Sequence, residues 1–540
     1  MRLIPLMATL LLFVQSSTEF GKKKSALNSA PPNIIFIMSD DHAYQAISAY
    51  GSQLIKTPNI DRLAKEGMLF TNACVTNSIC APSRATILTG THTHINGKID
   101  NHFPFDTTQV TFPQLFQDHG YKTAMFGKLH FGNSPKGVDE FKILPGQGNY
   151  INPDFITTTG DTTRIEGYVT DIITDLTIDW LKREGGKDEP FMMMYLHKAP
   201  HRPWWPRPDK FAEFHKKTFP EPKTLFDQYE NRGTAAKTAE MNLLHHMMYN
   251  HDSKVRPETI KKMGEKVQPK VIEYPNGFYG PYRRATDEQK AQYRPILDAI
   301  NTEFEEKWPM MSEKEKMQWK YQRYMQDYLG CISSVDDNVG RLLDYLDETG
   351  LAENTIVIYT SDQGFFLGEH GWFDKRFIYN ESFKTPLMAR WPNHINAGTV
   401  ETSMVQNLDF AQTLLEAAQI KAPDHMQGES LMPLLLGKTD QWDRNAVYYH
   451  YYEYPAVHMV KRHYGIVTEE FKLAHFYHDV DEWELYDRIK DPNELRNVYH
   501  EEAYRDIVET LKNDLSLLRK KYQDSVELDQ KFIELYKTKK

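Results

Sequence analysis

Cysteine is scarce: Cys74, Cys80 and Cys331 are the only three in 540 residues. That excludes a disulfide scaffold, and the odd number leaves at least one thiol for another task. Long apolar runs are scarce as well. Leu3–Val14 falls short of the roughly 20 residues a spanning helix needs, and no other stretch reaches that length. No membrane span is expected. Basic charge is not in excess. A formal net charge of -10 sets nucleic-acid binding aside, since such proteins present a basic face. Internal repeats and low-complexity linkers are absent too, so a repeat array is excluded.

What remains is an ordinary globular composition, 40% hydrophobic and 26% charged. Aromatics make up 12%, a content that suits sugar-stacking surfaces. The N-terminus reads as a secretory signal: Arg2, the apolar run, then Ser16 and Ser17. Residues 1–17 form the expected signal, with cleavage as late as about residue 30. The mature chain is expected to be exported, periplasmic or secreted. No cysteine lies near the cleavage zone, so no lipid anchor is expected.

The mature chain opens on "NIIFIM", Asn33 to Met38, a nearly unbroken apolar run. Such a run reads as a strand buried on both faces of a parallel sheet. "TPNIDRLAKEG" predicts a helix with Thr57 as N-cap, Pro58 at its first position and Gly67 as its stop. Further strands are predicted in "LFTNACVT", "KTAMFGK", "PFMMMYLHKAPHRP" and "TIVIYTSDQG". Helices are predicted in "PQLFQDHG", "YVTDIITDLTIDWLKREGG", "VGRLLDYLDETG" and "VQNLDFAQTLLEAAQI". This alternation predicts an α/β fold with a large, mostly parallel sheet flanked by helices. Residues 31–440 form this part, with a helical insertion over about 207–330 at the pocket rim. From residue 441 to 540, short alternating segments and a helix predict a smaller α+β domain with an antiparallel sheet.

Three buried strands end in charged or hydrogen-bonding residues, and in open α/β sheets that edge binds ligands. Asp40 and Asp41 end one strand, and Asp362 and Gln363 another. Adjacent buried carboxylates repel unless a cation joins them. An all-oxygen set suits Ca²⁺, or less well Mg²⁺, whereas Zn²⁺ draws His or Cys. Basic groups recur after strand ends: Lys128 and His130; His197, Lys198, His201 and Arg202; His370, Lys375 and Arg376. Together they read as an anion pocket with histidine for proton transfer. "SICAPSRATILTG" places Cys80, Ser83 and Arg84 at the start of a helix-like stretch. A helix N-terminus favours anions, and Arg84 adds a bidentate fork. Cys80 there reads as a nucleophile, its thiolate favoured by a lowered pKa. The residues alone describe an exported hydrolase of an anionic ester, with phosphate and sulfate both open.

Cys80-Ala81-Pro82-Ser83-Arg84, continuing to Leu88-Thr89-Gly90, resembles the signature of the type I, formylglycine-dependent sulfatases of the alkaline-phosphatase-like superfamily. "NIIFIMSDDH", "TPNIDRLAKEG", "GKLHFG", "HKAPHRP", "TSDQG" and "LGEHGWFDKR" resemble the family's other blocks in order. Thr91 departs from the pattern, which often has a basic residue there. The resemblance implies that Cys80 is oxidised to formylglycine (3-oxoalanine) by a formylglycine-generating or anaerobic sulfatase-maturating enzyme. It implies that Asp40, Asp41, Asp362 and Gln363, with the modified Cys80, bind one Ca²⁺. Arg84 would hold the formylglycine hydrate. Lys128 and Lys375 would neutralise sulfate oxygens, His130 would assist sulfate release, and His201 would protonate the leaving alcohol. Two alternatives stand beside this: a phosphomonoester or phosphonate hydrolase on the same scaffold, and a non-catalytic sulfated-glycan binder.

For the substrate, "PWWPRP" and "VYYHYYEY" read as an aromatic rim for sugars. A sulfated carbohydrate is expected, with algal polysaccharide fragments such as ulvan first and N-acetylglucosamine-6-sulfate second.

Overall fold

The computed structural model describes residues 31–271, 273 and 276–538. The expected signal segment lies outside them. A ten-stranded sheet organises the chain. Its strands are β1 (Asn33–Ser39), β2 (Met68–Phe70), β3 (Lys122–Gly127), β4 (Glu140–Ile143) and β5 (Asp154–Thr157). They continue with β6 (Thr162–Arg164), β7 (Phe191–Leu196), β8 (Thr355–Ser361), β9 (Leu387–Arg390) and β10 (Thr399–Glu401). The spatial order is β10-β2-β9-β8-β1-β7-β3-β4-β5-β6. The centre, β8 to β4, is parallel, and β9, β5 and β6 add antiparallel pairings.

The unbroken apolar runs have a plain cause. Ile35 and Ile37 face one core, and Ile34 and Phe36 face the other. Both faces are covered, so both parities of the strand must be apolar. One face carries helix α3 (Val169–Glu184) and helix α5 (Glu313–Glu348), and the other carries helix α2 (Cys80–Thr89).

Two local expectations change. Helix α1 spans Ile60–Lys65, and Thr57 does not cap it. The Asp336 carboxylate instead accepts the N–H groups of Asn59 (3.0 Å) and Ile60 (2.9 Å). A side chain from 276 residues away does the capping, so no local motif announces it. Residues 207–330 contain helices, among them helix α4 (Asp287–Lys307), and position 330 falls inside a helix. Helix α5 runs through it, opened by a Ser312–Glu315 capping box. The helix read from "VGRLLDYLDETG" is only its last part. Tyr321, Tyr324, Tyr328, Ile332, Val335, Val339 and Leu342 are buried along its length. They recur every three or four residues, as one buried helix face requires.

The C-terminal sheet is antiparallel as expected: β11 (Ala446–Tyr451), β12 (His463–Thr468), β13 (Phe471–Phe476) and β14 (Glu482–Asp487). One face packs Tyr449, Tyr451 and Phe476 against Trp372, Phe377 and Tyr379. The other packs Tyr448, Ile466 and Leu485 against helix α6 (Arg505–Lys521). Helix α7 (Val526–Lys537) follows. Among the described residues, no helix is long and apolar enough to cross a membrane.

Candidate active site

Strand register brings the site together. Ser39 pairs with Ser361, Met38 with Leu196, and Gly127 with Leu196. The residues that follow these ends, Asp40, Asp362 and Lys128, therefore reach the same sheet edge. The backbone closes the junction: Asp41 N–H donates to Asp362 Oδ1 at 3.0 Å, and Lys128 N–H to the Leu196 carbonyl at 3.0 Å. Cys80 is the first residue of α2, whose N-terminus points at this edge.

The ten residues to which the family resemblance assigns a role converge here. Cys80 Sγ lies 3.8 Å from Asp41 Oδ1 and 3.4 Å from Lys375 Nζ. Lys375 Nζ also meets Asp41 Oδ1 at 2.5 Å, and Lys128 pairs with Asp40. Arg84 holds Asp362 Oδ2 through Nε and Nη2, both at 2.9 Å. Gln363 Nε2 donates to Asp362 Oδ1 at 2.9 Å. His201 Nε2 stands 3.7 Å from Asp41 Oδ2. His130, His201 and Lys375 line a cavity of about 690 Å³ that opens above this floor. Asp41 (φ 66°) and His130 (φ 69°) hold left-handed backbone conformations, as do Asp374 (φ 76°) and Arg376 (φ 91°) beside Lys375. Such strain clusters where geometry serves function.

Electrostatics separates the three carboxylates. Burial raises the proton affinity of Asp40, but Lys128, His201 and Arg84 outweigh it and hold the carboxyl well below the usual range. Burial, with Asp40 and Asp362 alongside, pushes Asp41 up to about 7 despite Lys375. Burial also raises Asp362, against Arg84. His130 and His201 are lowered by burial and then by Lys128. The lowered thiol pKa expected for Cys80 is overturned. Burial pushes it well above the ordinary value, and Lys375 and Lys128 do not offset this. An unmodified thiol at this position is a poor nucleophile near neutral pH.

The floor fits a hard cation. Asp40 Oδ1, Asp41 Oδ2 and Gln363 Oε1 are buried without a hydrogen-bond partner. Buried acceptors of this kind call for a partner, and three oxygens together suit Ca²⁺ or Mg²⁺. Asp40, Asp41, Cys80 and His201 each bring a ligand atom within 4.8 Å of the others. Asp362 differs, because both its oxygens are already hydrogen-bonded.

Other expectations need correction. His197 and His370 do not line the cavity. His370 pairs instead with Arg232 (2.8 Å) in a buried network. The aromatic rim is also overturned. Trp204 and Trp205 are wholly buried, as are Tyr448, Tyr449, Tyr451 and Tyr452. Trp204 packs on Tyr324 with ring centroids 4.6 Å apart. Composition cannot tell an inward ring from an outward one. All three cysteines are free, and Cys74 donates to the Val405 carbonyl at 3.2 Å. The cavity walls include Asn101, His251 and Arg284, which no sequence signal marked, and Asp374 and Glu453, which lie within quoted stretches but were given no role.

The fold and site match known proteins. The family model described as "Sulfatase" matches residues 32–420, and "N-sulphoglucosamine sulphohydrolase, C-terminal" matches residues 368–521. An N-acetylglucosamine-6-O-sulfatase of Bacteroides thetaiotaomicron is 46% identical over 513 residues, 94% of this chain and 89% of that protein. An ulvan-active sulfatase of Formosa agariphila is 23% identical over 90% of this chain and 79% of its own. A solved structure in complex with its substrate D-glucosamine-2-N,6-O-disulfate superposes with TM-score 0.87 at 45% identity, over 93% of this chain and all of that one. This chain belongs to the sulfatase family of the alkaline-phosphatase-like superfamily and is a sulfuric ester hydrolase.

Proposed function

We propose that this protein removes the 6-O-sulfate of a sulfated glucosamine unit, using residue 80 as formylglycine and one Ca²⁺. The carrying observation is one pocket floor that holds Cys80, two lysines and three unpartnered buried oxygens. The substrate follows the relative at 46% identity. Ulvan, favoured from composition, rests on a relative at 23% and on a rim whose rings are buried.

Each residue then has a task. Asp40, Asp41, Gln363 and residue 80 would hold the cation, and Asp362 would complete the set of carboxylates around it. When bound, the dication supplies charge neutralisation and polarisation of a sulfate oxygen. As an aldehyde hydrate, residue 80 offers one hydroxyl for attack on sulfur and a second whose deprotonation restores the carbonyl. Arg84, fixed by Asp362, orients that residue. Lys128 and Lys375 neutralise the remaining sulfate oxygens. His201 is neutral at rest, because burial lowers it. An arriving anion raises its proton affinity, so that it delivers a proton to the leaving sugar oxygen. His130 takes the proton that releases sulfate. Export through the N-terminal segment, and a maturating enzyme as partner, belong to the same reading.

The test has two arms. Mass spectrometry of the peptide spanning residue 80 from co-matured protein is expected to show the aldehyde. Sulfate release is expected from glucosamine-6-sulfate or N-acetylglucosamine-6-sulfate before ulvan oligosaccharides or phosphomonoesters. An intact thiol without sulfate release defeats the chemistry, and a preference for ulvan defeats the substrate.

A further inference from the structure

We propose that Asn101 is a positioning residue for residue 80, held in place by the C-terminal helix α7. The inference rests on residue 80 being the nucleophile.

Helix α2 begins at Cys80 with no side-chain cap from Ile79. First-turn N–H groups of a helix need partners from outside its own ladder. Pro82 has no N–H, and Ser83 N–H reaches the Ile79 carbonyl at 2.9 Å. The N–H of Ala81, bonded directly to residue 80, donates to Asn101 Oδ1 at 3.1 Å. Because that group is a donor, the amide oxygen of Asn101 must face it. Asn101 also lines the cavity, and through Ala81 it stands where a movement shifts the nucleophile.

The loop that carries Asn101 is latched from far along the chain. Asp100 Oδ1 accepts the N–H groups of His102 (2.8 Å) and Phe103 (2.6 Å). Asp100 Oδ2 accepts the Tyr536 hydroxyl at 2.6 Å, across 436 positions. Tyr536 and Phe532 of α7 pack with Ile99 and Tyr452 in a small core of their own. Helix α7 lies beyond residue 521, where the second family match ends. An element outside both matched spans thus reaches the catalytic floor through Tyr536, Asp100, Asn101 and Ala81.

The experiment compares wild type with Asn101→Ala, Asn101→Asp and Tyr536→Phe. Turnover is expressed per aldehyde-bearing molecule and melting is checked in parallel. Substrates are glucosamine-6-sulfate and a simple aryl sulfate. Asn101→Ala is expected to lower kcat about 10- to 100-fold on both substrates with KM nearly unchanged, since misplaced reacting groups cost about this much. Asn101→Asp keeps an acceptor for Ala81, so kcat is expected to recover, with KM raised by the added charge. Tyr536→Phe loses one hydrogen bond and is expected to lower kcat about threefold. An unchanged kcat in Asn101→Ala, or Asn101→Asp no better than Asn101→Ala, overturns the positioning role. An unchanged kcat in Tyr536→Phe overturns the latch. Wild type with only an intact thiol and no turnover overturns the nucleophile reading, and this inference with it.

Discussion

Two buried clusters of the same residue types behave in opposite ways. Asp40, Asp41 and His201 sit with Cys80 under the cavity, and His450, Asp524 and Asp529 sit where α6 and α7 meet the C-terminal sheet. In the second cluster Arg519 reaches Asp529 at 2.7 Å and Asp524 at 3.6 Å. His450 Nδ1 meets Asp524 Oδ2 at 2.8 Å, and the Ser525 N–H meets Asp524 Oδ1 at 2.8 Å. Burial opposes the Asp524 charge, but His450 and neighbouring cations hold its carboxyl far below the usual range. Ionised Asp524 therefore stabilises the fold. In the first cluster Asp41 is pushed up to about 7, and three oxygens lack partners. A cation bound there would partner those oxygens. The second cluster is largely closed by its own residues, with only Asp529 Oδ1 left without a hydrogen-bond partner, whereas the first leaves three oxygens so.

The comparison is best broken from the functional side. Cys80→Ala is expected to eliminate sulfate release while the melting temperature stays near wild type, because the change is small and apolar. Activity above background would remove residue 80 from the chemistry. Next in size, His201→Ala is expected to lower kcat about 10²- to 10⁴-fold on sugar sulfates. The loss should shrink on aryl sulfates with good leaving groups, and an equal loss on both would contradict its role as proton donor.

On the structural side, Asp524→Ala leaves Arg519 and His450 short of a partner. Breaking a buried pair costs about 3–5 kcal/mol, readable by denaturant unfolding, while kcat per folded molecule falls no further than in Tyr536→Phe, because the cluster reaches residue 80 only through α7. A larger loss of kcat would join the two clusters directly. The smallest expected effect is a pH slope. Folded Asp41 keeps its proton up to about 7, whereas the unfolded side chain loses it near the ordinary value of about 4. Its contribution is thus fully present below about pH 4 and is lost as pH rises toward about 7, a decrease of a few kcal/mol at most. Chelator-treated protein should show that decline. Calcium or Asp41→Asn should flatten it, and a decline unaffected by either would place the slope elsewhere.

Much of the site was legible because its residues mark strand ends. An apolar run that stops at Asp40-Asp41 or Asp362-Gln363 announces a sheet edge, and Cys80 stood in a specific motif. Asn101 was not legible. It lies in "IDNHFPF" among ordinary turn residues, and its value comes from Ala81, 20 positions earlier. The rim failed for the converse reason. Trp204 and Trp205 carry a strong compositional signal, yet both are wholly buried. The C-terminal strands were legible by alternation, but their two faces are both covered, so tyrosines read as outward point into cores.

By itself the sequence determined the strand periodicity, the α/β alternation, the family and the candidate site residues, because each is written in local spacing or a short motif. Tertiary structure alone decided which oxygens remain unpartnered, which rings are buried and how α7 reaches residue 80. Those properties depend on register and on contacts across hundreds of residues. Burial then sets proton affinities that no local pattern records.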